Sequence, residues 1–467
     1  MIHSALRVPS RKSDDRVGKR MMLQDRVFMK KLSGLALPIA AQSLMLSAVS
    51  VADTLMLGGV EQNAMAAVSL ASKTQFVQNM ILSSVVAAFV ILGAQYWGKR
   101  DRGTVSRLFS FALLLCSLTS AAVFTVCEFF PGAAMTLFTN DAELNRIASD
   151  YLRLAAWSYL ITGFSQCYLG LLKISEHARD TALISTCTVL LNIALNAVFI
   201  FGLAGVPPMG VRGAALATLV SRIAELLWAV ALSFRENYIR PDYRRIFALD
   251  RALTGDFIRC MLPLLGASLL WGIGYTAYSA FMGHIDQDAP AANSVASSVI
   301  ELVCCLCNGL ASGGGIMVGN ALGAGDLDTA RLYGTRLVKM SFVVGILTSL
   351  LMFALTPLVM SVVHLSGTAE AYLHGMMIVM SVYTVGRVVN TITINGVFSA
   401  GGDTLFDMYS LAVTMWCVAV PLAFLGTFVF HWNPLVVYAC TCLDEVGKIP
   451  WVMLHFRKYK WLRNLTR

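Results

Sequence analysis

The sequence predicts an all-α membrane protein: twelve transmembrane helices in two six-helix lobes, related by a pseudo-two-fold axis along the membrane normal. Three observations carry this prediction. Of 467 residues, 57% are hydrophobic and 13% are charged, about half the charged share of a soluble domain, so lipid must serve as solvent over much of the surface. Apolar runs of roughly 20 residues recur along the chain, each long enough to cross a hydrocarbon core about 30 Å thick. Finally, the two halves read as copies offset by 225 positions. The spans are helical because an unpaired backbone group in lipid costs several kcal/mol, and the alternation of a membrane β-barrel is absent.

Residues 1–31 form a basic tail, too polar for a cleavable signal and without a small-residue cleavage site. The spans follow wherever an apolar run lies between Gly, Pro or charge clusters. The first lobe, 32–234, holds spans at 33–57, 66–94, 106–129, 151–172, 182–203 and 211–234. A polar linker at 235–256 divides the chain. The second lobe, 257–456, holds spans at 257–283, 291–318, 333–360, 372–397, 405–430 and 434–456, and a basic tail at 457–467 ends the sequence. Pro38 and Pro263 fall inside the first span of each lobe and are the expected helix-bending positions.

The offset is nearly constant. Ala64–Ser72 meets Ala289–Ser297 with six of nine residues identical, and the same shift pairs Pro38 with Pro263, Gly98 with Gly323 and Asp101 with Asp326. A two-residue slip then pairs Asp180-Thr181 with Asp403-Thr404 and Trp228 with Trp451. Six spans per half is an even number, so both halves enter from the same side and their axis runs along the membrane normal, an arrangement suited to alternating access.

Net charge is +9, but its placement argues for topology rather than nucleic-acid binding. Nine Lys/Arg precede the first span, and further clusters at 99–107, 235–259 and 457–467 fall on the same side. The opposite side carries only Arg146, Arg153 and Arg212 beside seven acids. This asymmetry places both termini in the cytoplasm. The eleven cysteines lie almost entirely within apolar spans and read as small packing residues. There is no Walker A sequence, no H-E-x-x-H and no clustered His/Asp set, so neither an ATP-driven pump nor a membrane enzyme is expected, and no cofactor. A channel lacks any filter-like segment.

Ionisable residues inside spans are functional candidates because a charge in hydrocarbon is costly. Asp53 stands first, in the outer part of span 1; its repeat partner is Tyr278, so the acid belongs to one lobe only. It either binds H+ or Na+ when buried or is an interfacial acid near a helix end. Asn192 and Asn196 share one face of span 5, and Thr218 lies in span 6; they offer hard oxygen ligands or ordinary interhelical hydrogen bonds. Arg222/Glu225 and Glu445/Lys448 align across the repeat with signs exchanged, and each i, i+3 pair reads as structural. Glu301, without a partner in sequence, is a candidate cavity acid.

Taken together, Leu37-Pro38, Ala52-Asp53-Thr54, Gln95-Tyr96-Trp97-Gly98, Asn192-Ile-Ala-Leu-Asn196, Gly213–Thr218 and Gly401-Gly402-Asp403-Thr404 resemble the multidrug and toxic compound extrusion (MATE) family over residues 30–457. The resemblance implies antiport of small organic, often cationic amphipathic compounds against H+ or Na+, by a monomer in membrane lipid. Asp53, Asn192 and Thr218 match the coupling residues of the DinF-like branch, while Asn196 stands where that branch often carries a second Asp. The acids that NorM-like members carry in spans 7 and 10 are missing. Related flippases for lipid-linked sugars share the architecture and are the alternative the resemblance leaves open; no strongly charged cavity for a pyrophosphate is evident.

Overall fold

The computed structural model describes residues 26–47, 62–136, 138–139, 141–203, 205, 207–235, 250–286, 288–363 and 365–466. Asp53 lies outside these residues. Among them there is no strand, and nine helices are long and apolar enough to span a bilayer. We number the helices α1 (26–47), α2 (Gln62–Gly98), α3 (Arg102–Phe129), α4 (Pro131–Thr136, a single short turn), α5 (Ala142–Ile174), α6 (Ala178–Phe201) and α7 (Gly210–Ser233) in the first half. The second half holds α8 (Arg251–Ile285), α9 (Ala289–Gly323), α10 (Leu327–Val362), α11 (Gly367–Phe398) and α12 (Thr404–Val429). A last span at 434–456 is broken into three short helices.

Helix starts are set by side chains that satisfy the orphan amides of the first turn. Asp101 accepts from the Thr104 amide at 3.0 Å, and its repeat partner Asp326 accepts from the Thr329 amide at 3.0 Å. The 225-residue offset therefore preserves a cap as well as a letter. Asp141, Asp250, Ser366 and Asn433 open α5, α8, α11 and the last span in the same way. Gly202, with φ of 75°, ends α6 in the left-handed conformation that glycine adopts at no steric cost.

Helices extend beyond the apolar runs at the end of the bundle that carries Lys99, Arg100 and Arg102, here called the basic end. α8 begins at Arg251 rather than 257, and α9 continues to Gly323 rather than 318. Apolar runs mark only the part of a helix that sits in hydrocarbon.

The lobes meet at the basic end by exchange. Phe28, Leu32, Leu35, Ala36 and Ile39 of α1 belong to the apolar core of the second lobe, where the Phe28 and Tyr333 rings lie 5.3 Å apart. Reciprocally, Phe257, Cys260 and Leu264 of α8 belong to the core of the first lobe, with Phe257 edge-on to Phe111 at 5.0 Å. Gly309 and Gly313 of α9 let the α1 backbone approach at Ala36 so closely that a Cβ at either position would clash.

The ends of α2 and α9 cross with the same reciprocity. A Cβ on Gly98 would overlap the Asn320 carbonyl, and a Cβ on Gly323 would overlap the Gln95 carbonyl. Gln95 and Asn320 are themselves 225 positions apart. Gln95 donates to the Ala400 carbonyl at 2.7 Å in the turn after α11, while Asn320 donates to Glu176 at 3.0 Å in the turn after α5. Each lobe thus grips the other through equivalent residues, and the pseudo-two-fold axis passes through this crossing.

The chain beyond the last span is packed into the bundle. Trp461 is fully buried against Gly334 and Gly401 and stacks on Phe456 at 5.6 Å. Gln95 holds the next turn, accepting from the Leu465 amide at 2.7 Å and donating to the Arg463 carbonyl at 3.4 Å.

Candidate functional site

Two polar regions lie within the lobes. In the first, Asn192 and Asn196 face α7 from one side of α6. Asn196 Nδ2 donates to Asn192 Oδ1 at 3.3 Å, and Asn192 Nδ2 donates to the Thr218 hydroxyl at 3.4 Å. All three are buried or half-buried, and the Thr218 hydroxyl also bonds back to the Ala214 carbonyl at 3.0 Å. The fourth member of the expected constellation, Asp53, is outside the described residues. Toward the basic end of α7, Arg222 Nη1 donates to Glu225 Oε2 at 2.8 Å. Glu225 is buried while Arg222 is half-buried, so the guanidinium neutralises the acid from the more accessible side.

The second region is a cavity of about 690 Å³, counting its mouth, inside the second lobe. Its walls come from α8 (Trp271, Tyr275, Tyr278), α9 (Asn293, Ser297, Glu301), α11 (Met380, Tyr383, Arg387), Met415 of α12, and Tyr438, Thr441 and Asp444 of the last span. Trp271 and Tyr275 stack, with ring centroids 5.5 Å apart and planes 16° from parallel. Most of the lining lies in the half of the lobe away from the basic end, because α8 contributes its last turns and α9 its first.

This cavity is the repeat image of the first polar region. The 225 shift carries Asp53 to Tyr278, and the slipped offset of 223 carries Asn192 to Met415 and Thr218 to Thr441. These three images line the cavity, while Ala419, the image of Asn196, is buried outside its lining. The fold therefore builds one place twice, polar in the first lobe and aromatic in the second.

The acids of the second cavity come from elsewhere. Glu301 projects from α9, exposed into the space, and Asp444 comes from the break in the last span. That break isolates the short helix Leu443–Val446 between Cys442 and Gly447, and interrupted spans at a cavity are a recurrent way to place polar groups in a membrane. Asp444 Oδ1, Tyr278 OH and Tyr438 OH are buried without a hydrogen-bond partner among the described residues. Arg387 donates to Tyr383 OH at a long 3.5 Å. Behind this wall Asn390 Nδ2 donates to Glu445 Oε2 at 2.7 Å, and the Lys448 ammonium lies 4.0 Å from the same carboxylate.

The residues proposed from sequence thus fall into separate groups: Asn192, Asn196 and Thr218 together, Glu301 in the cavity, and two charge pairs between the lobes' interiors and the basic end. Pro263 is buried inside α8, and Pro38 lies inside α1. Sequence reasoning singled out neither Asp444 nor Arg387 as a cavity group, and it missed the aromatic wall. The signal was available: applying the repeat offsets to Asn192 and Thr218, as well as to Asp53, points to the same cavity. All eleven cysteines are unpaired thiols, and no group of three or more His, Cys, Asp or Glu able to hold a metal occurs among the described residues.

Comparison with known proteins agrees with this doubled architecture. The MatE family model matches twice, over residues 38–198 and 263–425, with starts separated by the same 225 residues. The multidrug resistance protein MdtK of Pectobacterium atrosepticum is 24% identical over 85% of this chain and 87% of its own length. A probable multidrug resistance protein NorM of Thermotoga maritima is 22% identical over 94% of both chains, and the uncharacterized transporter YisQ of Bacillus subtilis is 22% identical over 86% and 88%. Among solved structures, a MOP superfamily transporter of Pyrococcus furiosus, described as having a binding pocket of reverse polarity, superposes with a TM-score of 0.83 at 19% identity, over 93% of this chain and 96% of that one. The outward-facing conformation of a multidrug resistance MATE family transporter gives 0.81 at 19% identity, over 92% and 96%. Both share the fold, two lobes of six helices. With its two matched blocks covering most of both halves, the chain belongs to the MatE family.

Proposed function

We propose that this protein exports small amphipathic organic compounds across a bacterial inner membrane by antiport with H+ or Na+, as a monomer with both termini in the cytoplasm. The observation that carries the reading is the pair of repeat-related polar regions standing above one interlocked basic end. In that arrangement the lobes can separate only if the Gln95 and Asn320 contacts break, so access alternates while the two sites stay intact within their lobes. Asp53 supplies the coupling charge, with Asn192 and Thr218 as its neighbours in the pattern of the DinF-like branch and Asn196 in the place of that branch's second Asp. A relative named as a multidrug resistance protein over nearly the whole length supports small-molecule export. Lipid-linked pyrophosphate flipping is less well served, because the second cavity holds two carboxylates against one guanidinium.

The test is Asp53→Asn in proteoliposomes. It keeps shape and hydrogen bonding and removes the titratable charge. Membrane abundance equal to wild type with loss of gradient-driven efflux is expected; coupled efflux that survives the substitution refutes Asp53 as the coupling acid and moves the role to Glu301.

A further inference from the structure

The second cavity is charged in both senses, and among the described residues no ion pair within 4.0 Å joins Arg387, Asp444 or Glu301 to a partner. Arg387 has five N–H donors in a rigid fork, yet among the described residues its one hydrogen bond is the long contact to Tyr383 OH. No carboxylate lies within ion-pair distance of it among those residues: Glu445 is taken by Asn390 and Lys448, and Glu301 and Asp444 form no ion pair. A guanidinium left this way in a membrane interior is costly, and its fork matches a planar carboxylate bidentately.

The opposite charge is present in the same space. Asp444, 4% exposed, has Oδ1 unpartnered, and Tyr438, also 4% exposed, has its hydroxyl unpartnered. Glu301 faces the same volume from α9. The same space is lined by five aromatic rings, Trp271, Tyr275, Tyr278, Tyr383 and Tyr438, whose faces attract both flat apolar groups and cations.

From this geometry we infer that the second-lobe cavity binds aromatic zwitterions: a carboxylate on Arg387, a ring among the aromatic side chains, and an ammonium toward Asp444 and Glu301. A simple organic cation satisfies the acids but leaves Arg387 unpaired and repelling it. A simple anion satisfies Arg387 and leaves two carboxylates against it. The inference deepens the export reading by naming a substrate class.

The test is equilibrium binding of Nα-dansyl-lysine to the purified full-length protein, beside its methyl ester and its Nε-acetyl derivative. These carry both charges, the cation alone and the anion alone. A charge-assisted hydrogen bond in a desolvated site predicts that the zwitterion binds about ten-fold or more tighter than either derivative. Arg387→Gln should bring the zwitterion down to the affinity of the ester while leaving the ester's own affinity unchanged or raised. Asp444→Asn with Glu301→Gln should bring it down to that of the Nε-acetyl form. Arg387→Lys, which retains charge without the fork, should recover part of the preference, so a poorly folding Gln variant does not end the test. An ester that binds wild-type protein as tightly as the zwitterion, or no binding of any of the three, overturns the inference. The export reading fails differently, by the absence of gradient-driven transport in proteoliposomes even where the zwitterion preference holds.

Discussion

Replacing Gly323 by Ala should shift the balance between the two access states. A Cβ at that position stands 2.6 Å from the Gln95 Cα, where carbon–carbon contacts relax at about 3.5–4.0 Å. The Gln95 carbonyl oxygen is nearer still, so the ends of α2 and α9 must part by more than about 1 Å, and overpacking of this kind costs about 1–3 kcal/mol. The cost falls only on the state in which the basic end is closed, so the closed-to-open ratio should drop by about 5- to 150-fold. Gly98→Ala, whose Cβ would stand 2.8 Å from the Asn320 Cα, should act alike. The double variant should cost less than the sum, because one separation relieves both clashes. Single-molecule energy transfer between fluorophores at the exposed, repeat-related positions 103 and 328, attached through unnatural amino acids, reads the distance across the junction. A longer mean distance in folded Gly323→Ala protein is expected. An unchanged distribution would refute the role of this crossing as the inner gate.

Other outcomes follow from the same contacts. Trp461→Ala should lower stability by about 3–5 kcal/mol, read as a fall in melting temperature in detergent, because the ring fills a closed space between Gly334, Gly401 and Phe456. Neutralising Glu225 alone should reduce folded yield by leaving Arg222 unpaired, and neutralising both should restore part of it; normal yield with abolished transport in the single variant would make the pair functional. At the α10 cap, the side-chain and backbone bonds from Thr329 hold the Asp326 carboxyl below its ordinary value of 3.8. A depressed value contributes stability above the unfolded pKa that is lost as pH falls through the folded one. Asp326→Ala should therefore cost about 1 kcal/mol near neutrality and progressively less below about pH 4, measured by thermal melts across pH.

Much of this architecture is legible in the sequence because membrane solvent imposes a simple code. Apolar runs locate the spans, and the 225-residue offset, visible at Pro38/Pro263 and Gly98/Gly323, predicts two lobes. The ends were misjudged where polar residues such as Arg251–Asp256 continue a helix past the hydrocarbon, since hydropathy is blind there. Crossing of α1 and α8 into opposite cores was not legible, because an apolar face does not say which lobe will cover it. The cavity was harder still. Its walls come from five elements between Trp271 and Asp444, and no local periodicity joins them. Asp444 was overshadowed by its neighbour Glu445, which the repeat had already paired with Lys448; only the break in the last span turns the adjacent acid toward the aromatic residues.

Gradient-driven export by a two-lobed carrier is measured with purified wild-type protein in proteoliposomes loaded with a fluorescent amphipathic amine, with H+ and Na+ gradients imposed one at a time. Efflux should run against the substrate gradient, start with one of the two imposed gradients and collapse when an ionophore dissipates it. Substrate movement that is indifferent to both gradients, or only ever downhill, would contradict gradient-driven export.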